Sequence, residues 1–433
     1  HPAQKKVAVI ELDQNDAALA TASLFEVTPE GAPVERMKAP VQAWGSYLRY
    51  KYVTADFSTV NRPGLYYIQY GTQKTETFPI GPNVYDTIWH ATADVWFPVQ
   101  MDHMMVNEAY RVWHGLTHMD DALQAPLNFQ HFDGYRMGDS TQTKYKPLER
   151  IPGLAVGGWF DAGDFDIQGG SHAGTIVSLV DTWETFKPLR DQTFVDQATR
   201  YVDIHRPDGK PDLLQQIEHG ALAVAAQYRT IGFLSQGIVD SHLHRYHHLG
   251  DAATQTDNLL YDPSLKPYQV EGNRSGTPDD RWVFTPRSPF SNYSGLGSLA
   301  AASRALRGFN DALAAECLEL AKKAYAEERQ RPAPAPPSRP EGAPAPPAGA
   351  GARFGAGAEL GAVYQLMLAT KEQAYIDRFN ELIWPALDAP GGRSLLTAVR
   401  ALPYLGTGAA EKLRPYVVKY RAEVDAVAKA NPY

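Results

Sequence analysis

The chain has 433 residues, with 41 Lys or Arg and 49 Asp or Glu, which gives a formal net charge of −8. This acidic balance argues against a nucleic-acid-binding protein, because phosphate contacts require clustered Lys and Arg. The longest apolar runs fall far short of the roughly 20 residues that cross a bilayer. A single cysteine, Cys317, excludes an intrachain disulfide and a thiolate metal cluster.

Short β-rich runs separated by turn residues fill the first 80 or so positions. They cover residues 6–10, 23–27, 47–53, 65–70 and 76–80. Turn residues recur between these runs every 8–12 positions, which is typical of a small β-sandwich. We therefore predict an all-β domain over residues 1–84.

From Tyr85 onward the spacing of apolar residues becomes helical. We predict a first helix within residues 85–113 and further helices at 175–186, 210–228, 297–308, 311–328, 359–370, 371–384, 394–402 and 409–430. Long irregular stretches at 114–174 and 232–293 separate some of them, and such stretches usually build functional surfaces. The pattern predicts an all-α domain over residues 85–433.

One segment of this domain differs in composition from the rest. Residues 329–352 hold 8 Pro and 7 Ala, and none of their apolar side chains is larger than Ala. Such a composition is typical of a polyproline-like linker or a flexible surface insertion. The alternative is a local error in the sequence itself.

Two carboxylates, Asp161 and Asp164, lie three residues apart in the motif Gly-Gly-Trp-Phe-Asp-Ala-Gly-Asp at positions 157–164. The small residues between them allow both side chains to face one cavity. Two carboxylates that share a site repel each other, which separates their pKa values and lets one act as a base. Trp159 and Phe160 beside them could form an aromatic wall on which sugar rings stack.

This motif resembles the Gly-Gly-Trp-Tyr-Asp-Ala-Gly-Asp signature of glycoside hydrolase family 9, a family of cellulases and related β-glycanases. Three further segments resemble family motifs in the same order: His-Met-Asp-Asp-Ala at 118–122, Pro-Asp-Leu-Leu at 211–214, and Ala-Ala-Ala-Ser-Arg at 300–304. The N-terminal segment resembles the immunoglobulin-like domain that precedes many catalytic domains of this family.

The resemblance implies an immunoglobulin-like β-sandwich followed by an (α/α)6 barrel that hydrolyses β-1,4-linked glucans with inversion. It assigns the general base to Asp164, and the residue that helps hold the attacking water to Asp161. It implies no cofactor for the chemistry, allows a structural calcium ion, and suggests a secreted or periplasmic enzyme. An exo-acting β-glycosidase or β-glucosaminidase stays open as an alternative.

The family's acid Glu follows an Asn-Pro-Tyr/Phe-Gly-type segment, and this chain ends at Asn431-Pro432-Tyr433. We therefore expect the acid beyond Tyr433, either in a truncated part of the chain or in a separate C-terminal polypeptide. Glutamates upstream, such as Glu359, are expected on solvated helix faces. A carbohydrate-binding protein without catalysis is the remaining alternative.

We predict substrate contacts from Trp159, Phe160, His118, His247 and Trp282. Four histidines at 242–248, including His247, could contact sugar, bind a metal or be solvated. Trp282 could form a second stacking wall or pack within its loop.

Overall fold

A computed structural model describes residues 1–161, 165–241, 252–331, 350–389 and 394–431. The chain forms two compact units, one made of His1–His90 with Ala410–Tyr433 and the other of Ala91–Ala409. Grouping residues 410–431 with the N-terminal unit differs from the predicted division into 1–84 and 85–433, which stays a prediction. Among the described residues, every helix is too short or too polar to cross a membrane.

The N-terminal unit is β-rich, as the sequence predicts. Its strands are β1 (Val7–Asp13), β2 (Thr21–Val27), β3 (Pro33–Tyr47), β4 (Tyr50–Asp56), β5 (Gly64–Tyr70), β6 (Gln73–Lys74) and β7 (Phe78–Ile80). They pair in the order β1-β4-β3-β2-β5-β6, and β7 adds to β5. Alternate side chains of β2 are buried, because successive residues of a strand point to opposite faces.

The long strand β3 joins the two halves of this unit. It pairs with β2 up to Pro40 and with β4 from Val41 onward. Apolar side chains from both halves then pack in one core that includes Leu24, Ala55 and Tyr66. The sequence did not predict β3, because its apolar residues alternate only from Met37 to Ala43 and a proline interrupts that run at position 40.

The predicted strand at residues 47–53 is correct for residues 50–53 and wrong before them. The structure has a hairpin there, in which β3 ends at Tyr47 and β4 begins at Tyr50. Leu48 at the turn has a positive φ of 53°. The alternating pattern continues through the turn, so periodicity could not locate the reversal of the chain.

The second unit is mainly helical. Its helices are α1 (Phe97–Val99), α2 (Gly169–Phe186), α3 (Asp212–Thr230), α4 (Pro289–Ala305), α5 (Asp311–Gln330), α6 (Ala350–Thr370), α7 (Gln373–Leu387) and α8 (Leu395–Arg400). The last helix of the chain, α9 (Ala409–Ala430), is grouped with the N-terminal unit from Ala410 onward. Each of the eight helices predicted after residue 170 corresponds to one of these helices. Helices α5 and α6 extend into both edges of the predicted 329–352 insertion, whose central residues lie outside the described ranges.

The predicted helix within residues 85–113 is mostly wrong. A π-helical turn, Thr92–Trp96, runs into the short α1, and two strands follow: β8 (Met105–Glu108) and β9 (Arg111–His114). Strand β8 pairs in parallel with β13 (Tyr201–Ile204), almost 100 positions further along the chain. A pairing partner this distant does not affect the local spacing of apolar residues. The strand at residues 105–108 is therefore set by its tertiary pairing with β13.

Short strands order the two stretches that the sequence predicts as irregular. They are β10 (Leu123–Gln124), β11 (Ile167–Gln168), β14 (Gly237–Val239), β15 (Leu260–Tyr261), β16 (Val270–Glu271), β17 (Arg274–Ser275) and β18 (Trp282–Phe284). Strand β12 (Thr193–Asp196) lies between the two stretches and pairs with β13. One sheet has the order β10-β18-β14-β11. In it, β10 and β18 run parallel with Leu123 opposite Trp282, so the residues before both strands lie at the same end.

Helix α4 is the central helix of this unit and packs against α2, α5 and α6. Small residues make this possible: a Cβ on Gly297 would lie only 3.2 Å from the Cα of Ala362 in α6. The expectation that Glu359 is solvated is wrong. Glu359 is 8% exposed and accepts hydrogen bonds from Arg378 and Arg329, because three helices enclose it.

Candidate active site

The signature loop, residues 157–164, begins in a tightly enclosed stretch of backbone. Asp102 N–H donates to Gly158 O at 2.9 Å, and Phe160 N–H donates to Gln100 O at 2.9 Å. Gly157 has a φ of +66°, and a Cβ there would lie 2.3 Å from His219 O. Glycine is therefore required at this position by both conformation and space.

Histidines fix the next part of the loop. His219 Nε2 donates to Gly158 O at 2.7 Å, and Trp159 N–H donates to His172 Nε2 at 2.8 Å. Helix α2 carries His172 and helix α3 carries His219. The loop is therefore held by the two helices that follow it in sequence.

Trp159 is only 5% exposed. Its indole stacks on His172 and donates from Nε1 to Gln216 Oε1 at 2.8 Å. The ring also lies so close to α3 that a Cβ on Gly220 would be 2.2 Å from it. The expectation that Trp159 offers an open face to sugar is therefore wrong: the indole fills the space between α2 and α3.

Phe160 is also 5% exposed. Its ring contacts His118, His114 and Phe165, with centroids 5.0–6.0 Å apart. The structure thus brings the predicted residues Phe160 and His118 together but buries both, so the expected stacking of sugar on Phe160 is not supported. What Phe160 provides is packing beneath the carboxylate that follows it.

Asp161 reaches solvent at the point where this buried segment ends. Its backbone N–H donates to Asp166 O at 3.1 Å, and buried Asp166 accepts from Asp240 N–H at 2.8 Å. The predicted base Asp164 and the predicted contact His247 lie outside the described residues. An exposed carboxylate on a fixed backbone can orient water or a hydroxyl group.

A buried ion cluster lies directly beneath the loop. Arg281 is 1% exposed, and its Nη2 donates to Asp102 Oδ2 at 2.6 Å. Its Nε lies 3.0 Å from Asp121 Oδ2, and its Nη1 donates to Phe165 O at 2.5 Å. His103 joins the cluster to the loop, since Nδ1 donates to Gly157 O at 2.9 Å and Nε2 lies 3.1 Å from Asp121.

The charges of this cluster stabilise one another. Burial alone would raise the pKa of the Asp102 carboxyl, but Arg281 and the neighbouring histidines hold it well below its ordinary value. The pKa of Asp121 is lowered in the same way against the effect of its burial. Both carboxylates therefore stay ionised, as an arginine enclosed between them requires.

Sequence analysis did not identify this cluster. Its members lie at positions 102, 121 and 281, and the local sequence around 102 and 281 does not distinguish them from surface charges. The parallel pairing of β10 with β18 brings Asp121 and Arg281 to one end of a sheet. The only available signal was the run of motif matches around 118–122.

Trp282, predicted to contact substrate, lies on β18 next to Arg281. Its ring is half-buried and meets Phe129 edge to face with centroids 4.9 Å apart. This contact packs Trp282 against the first irregular stretch, and a role in sugar binding stays a prediction.

Two groups of described residues could offer several ligand atoms to a metal ion. The first, Asp102, His103 and Asp121, already surrounds the Arg281 guanidinium, so a cation does not fit there. The second, Asp120, Asp257 and Asp279, holds carboxylate oxygens within 4.8 Å of one another. Burial, followed by the negative charges of Asp121 and Asp279, raises the pKa of Asp120 to about 7.

Known proteins with a similar sequence are endoglucanases. Endoglucanase D of Acetivibrio thermocellus is 23% identical over 318 residues, which cover 72% of this chain and 43% of that protein. The chain thus spans less than half the length of the curated relatives it matches. No protein-family model matches the chain.

Solved structures give a similarity over the whole chain. Endoglucanase J30 of glycoside hydrolase family 9 matches with a TM-score of 0.68 and 19% identity over 100% of this chain and 73% of that one. A family 9 protein of Bacteroides ovatus matches with a TM-score of 0.65 and 18% identity, over 100% of this chain and 73% of that one. AaCel9A, solved with cellobiose-like isofagomine, matches with a TM-score of 0.63 and 18% identity, over 100% of this chain and 70% of that one. The chain has the fold of the glycoside hydrolase family 9 endoglucanases, as its sequence motifs predict.

Proposed function

We propose that the chain is a glycoside hydrolase that cleaves β-1,4-linked glucans with inversion at the anomeric carbon. The observation that carries the proposal is the loop itself. Asp161 reaches solvent at the end of a buried backbone that hydrogen bonds fix at Gly158, Trp159 and Phe160, in a fold that endoglucanases share. A catalytic carboxylate needs this combination of access and fixed position.

In this proposal Asp164 is the general base that removes a proton from water, and Asp161 helps to hold that water. A second carboxyl group, the general acid, protonates the leaving oxygen of the glycosidic bond. In an inverting enzyme this acid and the base are roughly 6.5–9.5 Å apart, so that water can enter between the base and the sugar. Trp159 and Phe160 support the loop from beneath. His247 and Trp282 remain proposed contacts to the glucan, whereas His118 is buried against Phe160 and is proposed to support the loop from beneath with it. No cofactor takes part in the bond cleavage.

The finer description of the fold belongs to the same proposal. The single core shared by both halves of the N-terminal unit supports an immunoglobulin-like sandwich. The helix pairs packed around α4 support an (α/α)6 barrel. A secreted or periplasmic location agrees with a polymeric substrate that cells do not take up intact.

A structural calcium ion would be held by Asp120, Asp257 and Asp279. Their donor set consists of carboxylate oxygens, which calcium prefers, and a divalent cation would relieve the repulsion that raises the pKa of Asp120. The ion would connect loop segments and would take no part in the reaction.

The test is hydrolysis of cello-oligosaccharides followed by proton NMR, which distinguishes the two anomers of the first product. Inversion of a β-linkage predicts an α-anomer that then mutarotates. Asp164→Asn is expected to lower kcat at least a thousandfold, and exposed Asp139→Asn serves as the control with unchanged activity. Full activity of Asp164→Asn would show that the base is another residue.

The alternatives give other results in the same assay. Release of monomer alone, tested also on chito-oligosaccharides, would identify the exo-acting enzyme. Glucan binding without turnover would identify a carbohydrate-binding protein.

A further inference from the structure

We infer that Arg281 is a positioning residue, whose guanidinium fixes the loop that carries Asp161 and Asp164 by joining both ends of that loop to one buried cluster. The inference rests on the proposed function for its catalytic consequence. Its structural part, the attachment of the loop, stands on the contacts alone.

The first step is the location of the charge. Arg281, Asp102 and Asp121 are at most 1% exposed. Burying ions costs several kcal/mol for each, and only close pairing with complete hydrogen bonding offsets that cost. The geometry of this cluster is therefore tightly determined, and groups bonded to it are held with the same precision.

The second step is the reach of the cluster into the loop. At the far end, Arg281 Nη1 donates to the carbonyl of Phe165, the residue directly after Asp164. Phe165 has a φ of 59°, a left-handed conformation that is unfavourable for a residue with a Cβ. A charge-assisted hydrogen bond to its carbonyl offsets that cost.

At the near end, the same cluster binds the two glycines that open the loop. Asp102 N–H donates to Gly158 O, and His103, which contacts Asp121, donates to Gly157 O. Both ends of the loop thus depend on the ion cluster. Within the part of the chain that the structure describes, Arg281 is the only arginine or lysine of this cluster. Movement of Arg281 would release Phe165 and loosen Asp102 together.

The third step concerns the type of cation. Arg281 uses three of its nitrogens for acceptors in three directions: Asp102, Asp121 and the carbonyl of Phe165. A planar guanidinium spans these acceptors, whereas a lysine ammonium is a single point on a flexible stem. Arg281→Lys therefore keeps the positive charge and removes the simultaneous hydrogen bonds to the three acceptors.

The experiment compares Arg281→Lys with Arg287→Lys. Arg287 is a matched control because its side chain is 8% exposed and makes two hydrogen bonds to Glu328. These bonds lie among helices, and within the described residues Arg287 makes neither a hydrogen bond nor an ion pair to the loop. In hydrogen exchange, we expect Arg281→Lys to speed exchange of the Phe160 and Asp161 amides at least tenfold and Arg287→Lys to leave them unchanged. Unchanged exchange in Arg281→Lys would overturn the inference.

The kinetic part separates positioning from simple loss of stability. We expect Arg281→Lys to lower kcat at least tenfold with KM within twofold, at a temperature where the variant stays folded. Arg287→Lys should lower the melting temperature with kcat unchanged. A wild-type kcat in Arg281→Lys would overturn the catalytic consequence.

If Arg281→Lys does not fold, Asp121→Asn provides the same test, because it keeps an oxygen acceptor and weakens only one side of the cluster. Faster exchange of the same two amides supports the inference, and unchanged exchange contradicts it. A wild-type protein that hydrolyses no glucan would refute the proposed function, and the exchange measurement would still decide whether Arg281 holds the loop.

Discussion

At the scale of single residues, the site depends on buried histidines that stay neutral. His219 is fully buried, and this burial lowers its pKa to about 3. Burial also lowers the pKa of His172 and of His118. A neutral ring can donate from one nitrogen and accept at the other, and His172 uses this to accept from Trp159 N–H.

The pKa of His219 predicts how stability depends on pH. The unfolded chain protonates this histidine near pH 6.5, whereas the folded protein does so only near pH 3. The stability that neutral His219 contributes to the folded protein is therefore complete above pH 6.5. It is lost as the pH falls towards 3, by at most ~1.4 kcal/mol per pH unit.

His219→Gln removes this titration and keeps an amide donor for Gly158 O. We expect the variant to lose less stability than the wild type between pH 7 and pH 4.5, in urea titrations at a series of pH values. Parallel curves for the two proteins would contradict the prediction.

At the scale of secondary-structure elements, Trp159 is enclosed between α2 and α3 because α3 has a glycine where the two elements meet. A Cβ on Gly220 would lie 2.2 Å from the indole and 2.9 Å from Ile176 of α2. The indole cannot retreat, since it stacks on His172 and bonds to Gln216. Helix spacing and loop position are therefore coupled at this residue.

Gly220→Ala is expected to lower the free energy of unfolding by about 1–3 kcal/mol through overpacking. The control is Gly174→Ala on the exposed face of α2, where a Cβ would meet nothing within 4 Å. Alanine is a better helix former than glycine, so this control should be neutral or stabilising by up to about 1 kcal/mol. Equal effects of the two substitutions, measured by chemical denaturation, would argue against close packing at Gly220.

At the scale of the whole molecule, the thiol of Cys317 can report whether the helical unit unfolds, because it is enclosed within that unit. Cys317 on α5 is fully buried, and burial raises the pKa of its thiol to about 12. Only the thiolate reacts with disulfide reagents, so reaction requires the helices around Cys317 to separate.

We expect a disulfide reagent to modify Cys317 roughly a thousandfold more slowly in the native protein than in urea, as for a domain of ordinary stability. The reaction rate should follow the urea dependence of unfolding of the helical unit. Rapid modification of the native protein would show that α5 opens locally.

The sequence by itself determined the helices after residue 170 and the identity of the signature loop. These features depend on neighbours within a few positions: apolar spacing sets a helix, and Gly157 and Gly158 set the backbone of the loop. The sequence also identified Asp161 and its buried aromatic neighbours, although it predicted the wrong role for Trp159.

Only the tertiary structure decided what holds the loop. Strand β8 forms because β13 pairs with it, and the ion cluster forms because β10 and β18 run parallel. Asp102 and Arg281 look like ordinary surface charges along the chain, and with Asp121 they become a buried cluster only when residues up to 179 positions apart meet. Local patterns carry no information about such contacts, because the attraction that offsets the cost of burying these charges arises only when folding pairs residues distant in sequence.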